Sequence, residues 1–334
     1  MPENRPPVSW RRRLRHGLYA TTATLAAAVV GLPLSGAIAR AVDPPTASVS
    51  GIVFEDANGD GVRQDTEPGV AGVRVSDGVD IVATGDDGRY SITLRTDRRA
   101  EDLVFITQPA GWAVGVDEFK TPRHYRLLGG LAANAVTTAD FGLTRDPAAT
   151  SDTFAFANIA DPHINPQLPA QIEEINTTHE KLGFIAVSGD LTNNATDAEF
   201  ERYKAATALS ELPVWPAVGN HEYFGGGGSD YASRINNYRR HVGPEWYSFD
   251  YGNRHYLVLE NNGQAPFEEQ LAWVRKDLEL GAAGKEVVVL AHMPMNVPFG
   301  SPSVYDAYGA LLEQYGTELI LVGHEHSNDV EPNS

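Results

Sequence analysis

Residues 183–193, Gly183-Phe184-Ile185-Ala186-Val187-Ser188-Gly189-Asp190-Leu191-Thr192-Asn193, decide how this chain is read. A short, continuous apolar run leads directly into a Gly-Asp turn. A run of this kind, too short for a helix and without alternation, signals a strand covered on both faces. An aspartate just past its end stands where open α/β sheets build their sites, beyond the carboxyl ends of the strands.

The same layout recurs outward from this point. Phe154–Ile159, Pro213–Val218, His255–Glu260, Val287–Leu290 and Leu319–Val322 also read as buried strands. Amphipathic stretches lie between them: Pro169–Leu182, Asp197–Leu209, Phe267–Leu280 and Tyr305–Gln314. Alternation of this sort predicts an α/β (α+β layered) domain over residues 152–334. Four further strand ends carry polar chemistry: Asp161-Pro162-His163, Gly219-Asn220-His221-Glu222, Ala291-His292-Met293-Pro294 and Gly323-His324-Glu325-His326.

Each motif alone is weak. Together they hold five of the ten histidines of the chain, with two aspartates and an asparagine, which scattered surface histidines would not do. Mixed Asp/His/Asn sets suit divalent transition metals such as Mn²⁺, Fe²⁺ or Zn²⁺. Seven ligands drawn from this set are too many for one ion and suit two ions sharing a carboxylate.

In this order, D-x-H, G-D-x-x-N, G-N-H-E, a later strand-end histidine and G-H-x-H resemble the calcineurin-like metallophosphoesterase superfamily over about residues 152–330. Phe249-Asp250-Tyr251-Gly252-Asn253 and Gln270-Leu271-Ala272-Trp273 are similar to what these enzymes carry between the third and fourth motifs. The resemblance implies a β-sandwich flanked by helices and a phosphate-ester substrate. It implies one metal on Asp161, His163, Asp190 and His326, and a second on Asp190, Asn220, His292 and His324, with Asp190 bridging. A hydroxide between the metals would attack phosphorus in line. His221 would serve catalysis as the group that protonates the leaving oxygen or stabilises the transition state, a role to which imidazole chemistry near neutral pH is suited. Monoester and diester substrates both stay open.

Three departures qualify the resemblance. Protein Ser/Thr phosphatases carry G-D-x-x-D-R-G at the second motif, and here Asn193-Asn194-Ala195 stands at its end, so Asn193 takes the place of the aspartate that partners the histidine. Purple acid phosphatases have a tyrosine ligand at the position of Asn193, so tyrosinate–iron colour is not expected. The chain ends soon after His326, and by the resemblance the catalytic domain reads as truncated. Phe224-Gly225-Gly226-Gly227-Gly228-Ser229 reads as a flexible surface loop.

Before residue 150 the pattern changes. Ser48–Phe54, Gly72–Val75, Tyr90–Leu94, Leu103–Thr107 and His124–Leu128 are short strand signals separated by turns such as Asp77-Gly78. They predict a small all-β sandwich over residues 45–147, with a linker at 146–151. One loop matches the calcium pattern D-x-N-x-D-G-x5-E: Asp56, Asn58, Asp60, the Val62 carbonyl and Glu67. Strand-like flanks and the continuation Glu67-Pro68-Gly69-Val70-Ala71-Gly72-Val73 resemble calcium-loaded repeats of bacterial adhesins, so Ca²⁺ is expected in a stabilising role. The module as a whole is similar to the N-terminal part of an exported bacterial subgroup.

Residues 1–41 hold six arginines and one acid, then an apolar Gly/Ala/Leu/Val run, then Ala-x-Ala. That is the layout of a cleaved bacterial export signal, of the twin-arginine kind through Arg11-Arg12. The expected location is secreted, periplasmic or cell-surface, with no transmembrane segment after signal removal. The whole chain carries net charge −18 and no cysteine. The charge is unsuited to nucleic-acid binding. The missing cysteines exclude disulfides, thiolate metal sites and a cysteine nucleophile. The competing reading is an inactive, truncated cell-surface binding module.

Overall fold

The computed structural model describes residues 44–98, 102–178, 181–295 and 302–327; the expected export segment lies outside them. Nine strands come first: β1 (Thr46–Glu55), β2 (Arg74–Ser76), β3 (Ile81–Ala83), β4 (Arg89–Arg95), β5 (Asp102–Ile106), β6 (Trp112–Val114), β7 (Tyr125–Gly129), β8 (Val136–Thr138) and β9 (Phe141–Arg145). They form two sheets. One has the order β4-β1-β9-β6, with β8 also paired to β1; the other has the order β3-β2-β5-β7. Strand β4 shows why one face is buried: Tyr90, Ile92 and Leu94 point inward while Arg89, Ser91, Thr93 and Arg95 stay exposed, the period of a half-buried strand.

The second part alternates strands and helices: β10 (Ala155–Ile159), α1 (Leu168–Thr178), β11 (Leu182–Val187), α2 (Asp197–Thr207), β12 (Val214–Pro216), α3 (Tyr231–His241), β13 (Tyr247–Tyr251), β14 (Arg254–Val258), α4 (Phe267–Gly281), β15 (Glu286–Leu290), α5 (Pro302–Gln314) and β16 (Thr317–Leu321). Strands β10-β11-β12 make a parallel sheet. In the sheet β13-β14-β15-β16, only β13 runs antiparallel to its neighbour.

The two sheets pack face to face. Phe184 of β11 lies 5.1 Å from Tyr256 of β14, and Trp215 of β12 stacks on Phe249 of β13 at 4.1 Å. Within β11, Phe184 and Ala186 face this sandwich core, while Ile185 and Val187 face Leu168, Ile172, Phe200 and Tyr203 of the covering helices. Burial on both faces is why the run lacks alternation in sequence. Helix α2 is started by a capping box between Thr196 and Glu199, and α3 by Asp230 accepting from the Ser233 N–H. Helix α3 and strand β13 have no counterpart in the expected elements.

The β-module and the α/β part share one core. All five side chains of β5 are buried, and Phe105 meets Trp273 of α4 at 6.0 Å. The stretch expected to be a linker is a capped turn. Asp146 accepts from the Ala148 N–H, and the Ala149 carbonyl accepts from the Gly111 and Gly252 N–H groups on either side.

A buried charged seam completes this junction. His255 contributes Nδ1 to Asp250 Oδ1 at 2.7 Å and Nε2 to Asp277 Oδ2 at 2.8 Å. Arg74 of the β-module reaches Asp250 at 3.3 Å and Asp277 at 3.9 Å, and Lys285 reaches Asp250 at 2.7 Å. Burial lowers the pKa of His255, yet the charges and hydrogen bonds of Asp277 and Asp250 leave it above its ordinary value. Burial likewise opposes ionisation of Asp250, but His255, Arg74 and Lys285 hold its pKa below the ordinary one.

Candidate metal centre

Strands β10, β11, β12, β15 and β16 each end in a turn that carries candidate ligands. The backbone of these turns is unusual. Asp161, His163, Asp190, His324 and His326 all have positive φ, between 45° and 71°. Non-glycine residues rarely adopt this left-handed region, and each costs of order 1–3 kcal/mol, so surrounding contacts must impose it. Five such residues at strand ends of the two packed sheets mark a place where side-chain direction outranks backbone comfort.

The turns also approach one another closely. A Cβ on Gly219 would lie 2.1 Å from Asp190 Oδ1, and one on Gly189 would lie 2.6 Å from His292 Nδ1. Glycine therefore precedes Asp190 and Asn220 because no side chain fits there.

The seven candidate ligands converge. Asp161, His163 and His326 form one group, and Asp190, His292 and His324 another, each with ligand atoms within 4.8 Å of one another. Asp190 Oδ2 stands between the groups, 3.3 Å from His292 Nε2 and 3.5 Å from His163 Nε2. Asn220 Oδ1 lies 3.0 Å from both His292 Nε2 and His324 Nδ1. Burial opposes charge on Asp190, but the hydrogen bond and charge of His292 and the His221 N–H hold its pKa below the ordinary value.

These residues fit divalent cations. The Ser188 carbonyl accepts from His292 Nδ1 at 2.9 Å. That bond commits Nδ1–H and leaves Nε2 facing two oxygens, Asn220 Oδ1 and Asp190 Oδ2. The Thr192 carbonyl, 3.3 Å from His163 Nδ1, sets that ring in the same sense. A positive charge must lie between such a nitrogen and these oxygens, and a metal cation can take the place of a ring proton there; ring nitrogens oriented by carbonyls are the usual support of ligating histidines.

His221 is brought to the same crevice. Its Nε2 lies 3.8 Å from Asp190 Oδ2, and its ring centroid 4.6 Å from that of His163. Its partner is Asn193, but through the backbone: the Asn193 carbonyl accepts from His221 Nδ1 at 2.7 Å. Any residue at 193 could offer that carbonyl.

Other residues hold the turns without facing the crevice. Buried Glu222 accepts from the Gly219 and Thr192 N–H groups and from the Thr192 hydroxyl. Burial and the nearby Asp190 charge push its pKa up to about 7. Asn261, past the end of β14, accepts from the N–H groups of His292 at 3.2 Å and Met293 at 2.9 Å, and donates to the Met293 carbonyl at 2.6 Å. The side chain of Asn262 donates to the Val218 carbonyl. Glu260-Asn261-Asn262 was a sixth polar strand end in the sequence, and the rule that found the other five applies to it equally. The glycine run is not simply a free loop. Gly225 and Gly226 pack against the Ala195 and Ser233 carbonyls, and Asn237 donates to the Gly225 carbonyl.

The calcium-type loop lies elsewhere. Asp56 accepts from the Gly59 and Gly61 N–H groups, and Glu67 from those of Ala57 and Gln64; both carboxylates are buried. Asn58 and Asp60 are exposed, and the Val62 N–H donates to Asp60.

The chain belongs to the calcineurin-like phosphoesterase family, whose model matches residues 154–328, just over half of the chain. The N-terminal model of calcineurin-like phosphoesterases matches residues 57–146. A probable cyclic nucleotide phosphodiesterase of Fibrobacter succinogenes is 22% identical over 156 residues, 44% of this chain and 58% of that protein. A probable glycerophosphodiester phosphodiesterase of Arcobacter nitrofigilis is 24% identical over 177 residues, 46% of this chain and 60% of that protein. The chain thus spans about three fifths of the curated relatives it matches. A solved purple acid phosphatase of yellow lupin aligns with a TM-score of 0.44 at 14% identity, over 76% of this chain and 53% of that one. Membership of this family implies divalent metal ions. Among the described residues, no helix is long and apolar enough to cross a membrane.

Proposed function

We propose that this protein is an exported, dinuclear-metal phosphoesterase, with residues 45–147 as a β-sandwich module and 152–334 as the catalytic domain. The observation that carries the reading is the position of Asp190 Oδ2 between two clusters of ligand atoms. One cation would sit on Asp161, His163, Asp190 and His326, and the other on Asp190, Asn220, His292 and His324. Bound there, divalent cations such as Mn²⁺, Fe²⁺ or Zn²⁺ supply Lewis acidity toward phosphate oxygens and lower the pKa of water toward about 7.

The chain's own residues do the rest. Asp190 neutralises charge at the centre of the crevice. The carbonyls of Ser188, Thr192 and Asn193 fix the rings of His292, His163 and His221. With Nδ1–H committed to the Asn193 carbonyl, His221 is left with Nε2 as the atom that gives a proton to the leaving oxygen. The names of both curated relatives favour a diester. Ca²⁺ on Asp56, Asn58, Asp60, the Val62 carbonyl and Glu67 would stiffen the β-module.

The test is Mn²⁺-dependent hydrolysis of bis-para-nitrophenyl phosphate by protein isolated from the exported fraction. Turnover abolished by a chelator, with two transition metals per chain, is the expected result. Folded protein with no metal and no turnover would replace this reading with a binding module. Asn220→Ala should lose metal, whereas His221→Ala should keep metal and lose about 10²–10⁴ in turnover.

A further inference from the structure

Phe224 stands at the mouth of the crevice with 55% of its surface exposed. A lone exposed apolar side chain carries no message in itself. Two observations set this one apart. Its ring centroid lies 4.9 Å from that of His221, the residue whose Nε2 faces Asp190. Its backbone is clamped as well. The Phe224 N–H donates to the His221 carbonyl, and a Cβ on Gly225 would stand 2.1 Å from the Ala195 carbonyl oxygen. Asn237 donates to the carbonyls on both sides of that approach, Ala195 at 2.9 Å and Gly225 at 3.2 Å. The ring is therefore presented from a fixed position rather than swept about on a loop.

We propose that Phe224 is a specificity-determining residue that stacks on the leaving group, and that the substrates are esters whose leaving alcohol is flat and apolar close to phosphorus, an aryl or heterocyclic group. This rests on the phosphoesterase reading and names the substrate class of the same site. The leaving oxygen must reach His221 Nε2 to take its proton, so the first atoms beyond that oxygen lie beside the ring next to His221. A flat group there gains aromatic contact, which a glycerol or choline-like alcohol does not.

The test uses the metal-loaded protein and two nonhydrolysable probes, benzylphosphonate and ethylphosphonate, with binding followed by calorimetry. The wild type should prefer benzylphosphonate. Phe224→Ala should lose about tenfold in that preference, and Phe224→Trp should retain it within about twofold. On bis-para-nitrophenyl phosphate the loss in Phe224→Ala should fall mainly on KM, with metal content unchanged. A wild type without preference, or equal losses on both probes in Phe224→Ala, overturns the proposal while leaving the phosphoesterase reading in place. Two metals bound, but neither probe bound nor any ester hydrolysed by the wild type, overturns the phosphoesterase reading and this inference with it.

Discussion

In the charged seam, His255 gives both ring nitrogens to carboxylates, and Arg74 and Lys285 balance the remaining charge. In the crevice, His292 gives one nitrogen to the Ser188 carbonyl and turns the other on Asn220 and Asp190. Both histidines are fully buried and both contact aspartate. The seam balances its carboxylates with Arg74 and Lys285 and is an ion-pair network; the crevice groups Asp161 and Asp190 with histidines at metal-ligand spacing and invites a cation. Backbone conformation separates the two regions as well, since positive φ marks five of the seven ligand candidates, though not Asn220 or His292, and none of the seam residues. What balances the carboxylates, fixed lysine and arginine or further ring nitrogens, distinguishes a ligand from a structural histidine better than burial or proximity to carboxylate.

The largest effect is expected of Asp190→Ala, and metals retained in that variant would contradict the crevice assignment. Loss of transition metal by elemental analysis and at least about a thousandfold drop in turnover are expected, because both clusters lose a shared oxygen. Arg74→Ala should do the reverse: metal content is retained, while urea denaturation registers a loss of about 3–5 kcal/mol from stranding buried carboxylates.

A smaller effect sharpens the crevice side. Asn261→Ala should leave folding cooperative but weaken the metal that uses His292 by about 10–100-fold, as read by competition with a chelating dye. Unchanged affinity would show that Asn261 only satisfies the turn.

The pH response belongs to the seam. The folded pKa of Asp250 is depressed, so its contribution is present above its ordinary value of 3.8 and lost as pH falls through the folded value. His255 is raised, so its contribution is full below its ordinary 6.5 and lost as pH rises through the folded value. The stability difference between wild type and His255→Gln, from urea midpoints across pH, should therefore be greatest between about 3.8 and 6.5 and shrink above that window. A flat difference would mean His255 is not charged in the fold. The smallest effect concerns the calcium-type loop: a Ca²⁺-selective chelator should lower Tm by a few degrees, on the order of 1 kcal/mol, and Asp60→Ala should abolish the shift.

The β-module, the α/β layering and the seven convergent ligand candidates are legible in the residues alone. Strand signals, turn residues and ligand chemistry are written in residues close together along the chain. The parallel strands carry the ligand turns to a common end, so convergence followed from the pattern. Helix α3 and strand β13 were not legible, because Arg239, Arg240 and Asn237 dilute the helical period and the polar Ser248 and Asp250 of β13 are buried only through the seam. Tertiary structure alone decided that Asn193 acts through its carbonyl, that Asn261 clamps the His292 turn, and that Asp250, His255 and Asp277 belong to the junction with Arg74. Those roles depend on which group lies across a gap of about 3 Å, and residues far apart in sequence meet there only once the sheets have packed.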